Sequence, residues 1–218
     1  PASLLMAWIG RRGGFTVGGI AGILSGLLSL VAIFQQNFAL LCLGAFFQGA
    51  AGAFAWYFRF AAADAADAAY KAKAISLVMA GGVVAGFVGP QTAKWSVDLL
   101  SPLLYGGVYV MVTVFSVLIV VVVQGLDIPK LTAAQIAEGG RPLLEIMRQP
   151  TYLVALTSSL FGFAVMTLIM TATPLAMHAC GYKFNDSATV IQGHAIAMFL
   201  PSFFTGYLIN RYGVLTII

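Results

Sequence analysis

The 218-residue sequence is 61% apolar and only 8% charged, with a formal net charge of +4. Soluble domains carry about 25% charged residues, so a water-soluble globule of this length would lack the polar surface to cover its core. The 11 Lys and Arg form no dense patch, which argues against a nucleic-acid module and fits the loops of a membrane protein.

In chain order, residues 1–9 are apolar and stop at Arg11-Arg12, the pattern of a helix tail that begins elsewhere. Six stretches without Asp, Glu, Lys or Arg follow: 15–34, 38–58, 74–93, 103–123, 152–172 and 188–209, each of at least 20 residues. A helix rises about 1.5 Å per residue, so roughly 20 residues cross an apolar core about 30 Å thick. One ionised residue at mid-bilayer costs roughly 2.5–3.5 kcal/mol, so these runs predict six spanning helices. Gly and Pro inside them do not count against helix, because neighbouring helices satisfy the backbone groups they free. Residues 214–218 resemble the start of another helix, and with no initiator Met or signal peptide the sequence reads as a fragment. The expected fold class is all-α, an incomplete polytopic membrane helix bundle.

Arg11, Arg12, Arg59, Lys71, Lys73, Lys130, Arg141, Arg148 and Arg211 fall on one side of these helices, and only Lys94 and Lys183 on the other. That bias predicts the first side to be cytoplasmic. The connection 124–150 is the one composition shift, with Asp127, Lys130, Glu138, Arg141, Glu145 and Arg148. A short surface helix is expected over 132–138, ended by Gly139-Gly140 and Pro142. The expected organisation is 1–123 as part of an N-terminal transmembrane half, 124–150 as a central cytoplasmic loop, and 151–218 as part of a C-terminal half.

An internal repeat supports two halves. Residues 1–13 align without a gap over 201–213, with Pro, Ile, Arg and Gly coinciding at four of 13 positions. Both copies sit where a helix enters the cytoplasm, as expected of duplicated transporter halves.

On these residues the chain resembles the major facilitator superfamily, whose signature between the second and third helices of each half runs Gly-x-Leu-x-Asp-Arg-x-Gly. The second copy fits through Gly206, Leu208, Arg211 and Gly213, with Asn210 in place of the acid. The first keeps Arg11 and Gly13, while Met6 and Gly10 depart from the pattern. The resemblance implies the third through eighth of twelve helices, and secondary active transport of a small organic solute by alternating access, coupled to a proton or other ion. It also implies gating loops at Arg11, Gly13, Arg59, Asp64, Gly206, Asn210, Arg211 and Gly213. Asp67 and Lys71, four residues apart, read independently as a solvated helix extension.

Two further motifs are partial. Gln48-Gly49 matches the end of the family's Arg-x-x-Gln-Gly, but Ala45 stands where the Arg would be. Ala85, Gly86, Gly89 and Pro90 resemble the antiporter motif, with Lys94 where a second Gly would follow. This implies export more than import, and a helix-packing role for Gly89 and Pro90. Repeats every four residues, at Gly18, Gly22 and Gly26, at Gly44, Gln48 and Gly52, and at Gly81, Ala85 and Gly89, read first as surfaces for close helix approach.

Polar groups inside apolar spans turn toward protein or water, because an unpaired one in hydrocarbon costs several kcal/mol. Gln48, Thr167, Thr171 and Gln192 are therefore the candidate substrate cavity. His194, about 9 Å into its run, is the candidate proton carrier, with hydrogen bonding to a neighbouring helix as the plainer alternative. Cys42 and Cys180 read as unpaired small residues. The sequence shows no metal-ligand set, cofactor motif or catalytic triad. An intramembrane enzyme and a non-transporting receptor or assembly subunit remain the alternatives. The expected partners are a small-molecule solute, lipid, and a proton or other ion, with no nucleic acid. The expected location is the bacterial cytoplasmic (inner) membrane.

Overall fold

A computed structural model describes residues 2–67, 70–126, 143–213 and 216. Among them the structure is all helix: α1 (Ala2–Phe34), α2 (Phe38–Ala55), α3 (Phe58–Ala65), α4 (Lys71–Ser96), α5 (Gly106–Gln124), α6 (Leu143–Met147), α7 (Pro150–Ala179), α8 (Phe184–Phe199) and α9 (Ser202–Tyr212). Six spans are long and apolar enough to cross a membrane, with α2 and α3 forming one and α8 and most of α9 another. They match the six charge-free runs. The expected 132–138 helix lies outside the described residues.

The stretch Ala2–Phe34 is two helices that meet at a kink, inside the connection 9–14 that the sequence places between helices. Its only break is Gly10, at φ 80° and ψ 166°, a conformation essentially reserved for glycine. Gly13, expected in a gating loop, is instead helical, and a Cβ there would sit 3.0 Å from the Ile9 side chain. The turn is therefore at Gly10, three residues earlier, and Gly13 and Gly14 leave room for the Ile9 and Met6 side chains across the kink. At the other end of α1, the Asn37 side chain accepts a hydrogen bond from the Leu40 N–H at 3.2 Å and starts α2. Similarly, the Lys183 N–H donates to the Asp186 carboxylate at 3.1 Å, closing the first turn of α8.

The described chain forms two compact units, Pro1–Lys130 with Gln192–Ile218, and Leu131–Ile191. In the first, α1 packs against both α2 and α5. Its buried residues are nearly all small: Gly14, Gly18, Gly19, Ala21, Gly22, Ser25, Gly26, Ser29 and Ala32, joined only by Met6 and Phe15. A Cβ at Gly26 would lie 2.9 Å from the Tyr109 carbonyl oxygen, and one at Gly44 would lie 3.2 Å from the Ser29 nitrogen. Glycine thus lets these backbones touch, which is how helices gain dispersion contact where lipid is as apolar as leucine. The Ser116 hydroxyl, buried in the same seam, donates back to the Val112 carbonyl at 2.8 Å.

A second seam joins α4 to the last described span. Ser76 faces Gly206, Gly82 faces Phe199, Gly86 faces Ala195, and Gln91 pairs with Gln192. The numbers rise on one side as they fall on the other, so the helices run antiparallel. The expected stripe at Gly81, Ala85 and Gly89 is displaced by one residue, since a Cβ at Gly81 or Gly89 would meet nothing within 4 Å. Gly82 and Gly86 make the contact instead, about 100° around the helix. In the other unit, no residue of α7 is buried.

Candidate functional site

Four groups of candidate residues can be built from these elements. At the end of the bundle that the charge count assigns to the cytoplasm, the Gly10 kink directs Arg11 toward α3, where its guanidinium meets the Asp64 carboxylate at 2.5 Å. Arg12, on the next position, donates to Gln124 at the end of α5 at 3.1 Å. The Gln124 amide in turn donates to the Thr16 hydroxyl at 3.0 Å. One turn deeper, Phe15 stacks on Phe58 with ring centroids 4.2 Å apart. Phe15, Met6, Ala61 and Val123 form the buried core here, with Phe54, Tyr57 and Phe58 against it. The ions therefore cap an apolar plug where α1, α3 and α5 meet.

Arg59, expected in the same gating group, does not join the ion pair. Its guanidinium lies over the rings of Trp56 and Phe60, 5.5 and 4.9 Å from their centroids. Cation–π contact of this kind holds Arg where a carboxylate is absent.

Beneath the plug is a cavity of about 140 Å³, lined by Gln48 together with Phe15, Gly18, Gly22, Phe54 and Ser116. Thr167, Thr171 and Gln192 are not among the residues that line this cavity. Thr167 and Thr171 are exposed on α7. Gln192 is buried on α8 and accepts a hydrogen bond from Gln91 at 2.9 Å. His194, two residues further, has a buried Nε2 without a partner among the described residues.

In the second motif copy, a Cβ on Gly206 would lie 3.4 Å from the Ser76 hydroxyl. Arg211 donates to the Tyr207 hydroxyl at 3.3 Å and covers the Tyr212 ring, and Gly213 ends the helix at φ 83°. The Asn210 side chain lies outside the described residues. Pro90 is inside α4. Cys42 and Cys180 are free and exposed. Among the described residues no three His, Cys, Asp or Glu side chains gather as metal ligands.

A family model described as Major Facilitator Superfamily matches residues 1–218. The chain belongs to the major facilitator superfamily. It is 39% identical over 215 residues to the riboflavin transporter RfnT of Brucella anthropi, covering 98% of this chain and 54% of that protein. It is also similar to two proteins of Bacillus subtilis named as uncharacterized MFS-type transporters. Identity is 26% to YddS, over 94% of this chain and 50% of the relative, and 27% to YdeG, over 94% and 51%. The chain spans about half the length of the curated relatives it matches. No solved structure matches it. Family membership and transporter-named relatives stand against the intramembrane-enzyme alternative.

Within this superfamily chain, the sequence reading missed three polar residues. Gln91 and Gln124 each reach a partner more than 100 positions away, and Thr16 receives its bond from Gln124. Gln91 was findable as the polar residue following Pro90 inside a charge-free run.

Proposed function

We propose that the protein is a secondary active transporter of the bacterial cytoplasmic membrane, moving a small organic solute by alternating access and driven by a proton or other ion gradient. The observation that carries this reading is the antiparallel seam between α4 and α8–α9. It is a narrow contact through Gly82, Gly86 and Gly206, with a hydrogen bond between the Gln91 and Gln192 side chains, and such a surface can rock without breaking a core. On this reading α4 belongs to an N-terminal half, 1–123, and the last span to a C-terminal half, 151–218. The loop 124–150 joins them on the cytoplasmic side.

Gln48, Thr167, Thr171 and Gln192 are the cavity polar groups, and His194 is the proton carrier. The Ala85–Pro90 stretch favours export over import. Gating belongs to the Arg11–Asp64 pair and to the second copy at Gly206, Asn210, Arg211 and Gly213. The likeness to RfnT makes riboflavin the first solute to test.

The experiment is exchange in proteoliposomes bearing the complete protein. Vesicles preloaded with unlabelled riboflavin are expected to take up labelled riboflavin faster than empty ones, and an imposed pH gradient to drive net movement. Equal rates in loaded and empty vesicles, with no response to the gradient, would contradict the reading.

A further inference from the structure

Two adjacent arginines beyond the Gly10 kink leave α1 for different helices. Successive helical residues stand about 100° apart, so Arg11 reaches Asp64 of α3 while Arg12 reaches Gln124, the last residue of α5. The contact on the α5 side closes a ring. Arg12 Nη2 donates to Gln124 Oε1 at 3.1 Å, Gln124 Nε2 donates to the Thr16 hydroxyl at 3.0 Å, and that hydroxyl donates to the Arg12 carbonyl at 3.0 Å. Gln124 Nε2 also donates to the Val120 carbonyl at 3.1 Å. Both N–H groups of the amide and its oxygen are thus engaged, and a satisfied network of this kind is rigid.

The two sides of α1 differ in what lies behind these contacts. Toward α5, Thr16 and Gln124 directly follow Phe15 and Val123 of the apolar plug. Deeper along the same seam, a Cβ on Gly19 would stand 3.5 Å from the Val120 nitrogen, and one on Gly26 2.9 Å from the Tyr109 carbonyl oxygen. The α1 and α5 backbones therefore approach closely well beyond the ring. Toward α3, the partner is a helix of eight residues, set off from α2 by a turn at Trp56 and Tyr57. The polar tie there is an exposed ion pair, a contact that opens at little cost. Helix α1 is thus fixed to α5 and latched to α3.

We propose that Gln124 is a positioning residue of the cytoplasmic gate. It holds the first turn of α1 beyond the kink against α5, so that Arg11 releases and recaptures Asp64 from a fixed place while α3 moves. Gln124 acts through Arg12 and the α1 backbone on Arg11, and touches no solute. The two neighbouring arginines therefore have different work: Arg12 keeps its bond through the transport cycle, and Arg11 exchanges its own. This role deepens the transport reading above and rests on it.

The test uses the complete protein in proteoliposomes, with riboflavin as the transported probe and, in a second preparation, spin labels replacing Val17 of α1 and Ala65 of α3. Without solute the parent is expected to give one narrow label distance. Gln124→Leu is expected to broaden it and to lower riboflavin turnover about threefold to tenfold, the range for one lost hydrogen bond, with KM within about twofold. Gln124→Glu keeps an acceptor for Arg12 and is expected to restore both the distance and the turnover. Arg12→Leu, at an exposed position, cuts the same bond from the other helix. It is expected to reproduce both effects, and the double variant to lose no more than either single one, so the test stands if Gln124→Leu fails to fold. A distance that stays narrow when the bond is cut would overturn the positioning role whatever the transport. Broadening with unchanged turnover would overturn its part in the gate. A loss that Gln124→Glu does not restore, or a large rise in KM, would overturn the action through Arg12. A parent that exchanges no riboflavin overturns the transport reading and the gating role with it, while the label distances still judge whether Gln124 positions α1.

Discussion

The two copies of the 13-residue repeat end in different ways. In the first, the chain breaks at Gly10 and Arg11 reaches across to Asp64 of α3, tying two helices at one end of the bundle. In the second, the helix continues through Asn210 and Arg211 to stop at Gly213, and Arg211 stays on its own helix with Tyr207 and Tyr212. The same residue at the same repeat position thus makes an interhelical tie in one copy and a local contact in the other. The cause is local. The earlier kink frees Arg11 to leave the axis of α1, and α3 offers a carboxylate within reach. On α4, the residue facing the second copy at Gly206 is Ser76, which offers only a hydroxyl. A repeat therefore fixes where a guanidinium stands, and the neighbouring helix decides what it does.

Three paired substitutions sharpen that contrast. The largest effect is expected below the first copy, where Phe15 is 1% exposed and stacked on Phe58. Phe15→Ala is expected to cost about 3–5 kcal/mol. Phe204→Ala, in the second copy where the ring is half exposed, is expected to stay within about 1 kcal/mol. Thermal unfolding of the detergent-solubilised protein separates them, and equal shifts would erase the difference in packing. Next come the glycines that end each copy. Gly10→Ala is expected to destabilise by about 1–3 kcal/mol, because φ 80° with ψ 166° is closed to a Cβ. Gly213→Ala, at φ 83°, is expected to lose about 1–2 kcal/mol.

The smallest effect on stability concerns the arginines. Arg11 and Asp64 are 24% and 43% exposed, so a double-mutant cycle of Arg11→Ala with Asp64→Ala is expected to give a coupling of about 0.2–1 kcal/mol. No coupling is expected between Arg211 and Asp64. In transport, both Arg11→Ala and Arg211→Ala are expected to slow turnover with KM nearly unchanged, Arg11→Ala more so. A large rise in KM at normal turnover would place the arginine at the solute instead.

The spans were legible because absence of charge over 20 residues has few physical explanations, and the structure follows those runs closely. The tie between Arg11 and Asp64 was legible only as a family resemblance, since nothing in the sequence between positions 53 apart shows that the two meet. The break at Gly10 was not legible, because Gly10 and Gly13 are equally able to leave the helix and only packing of Met6 and Ile9 against the kink selects one. Adjacent glycines at 81 and 82 likewise offered two faces at four-residue spacing, and the partner helix selected the second. Gln91 stands in a charge-free run as Gln48 and Gln192 do and was findable on that ground; its pairing with Gln192, 101 residues away, was not.

Alternating access about the α4 seam is the central claim, and spin-label distances across the seam test it most directly. One label pair replaces Lys73 and Tyr207 at one end of the complete protein, and another replaces Trp95 and Gly193 toward the other. Adding riboflavin is expected to shift the two distance distributions in opposite directions, one end opening as the other closes. Two distributions that stay fixed, or that move together, while riboflavin is being transported would contradict a rocking seam.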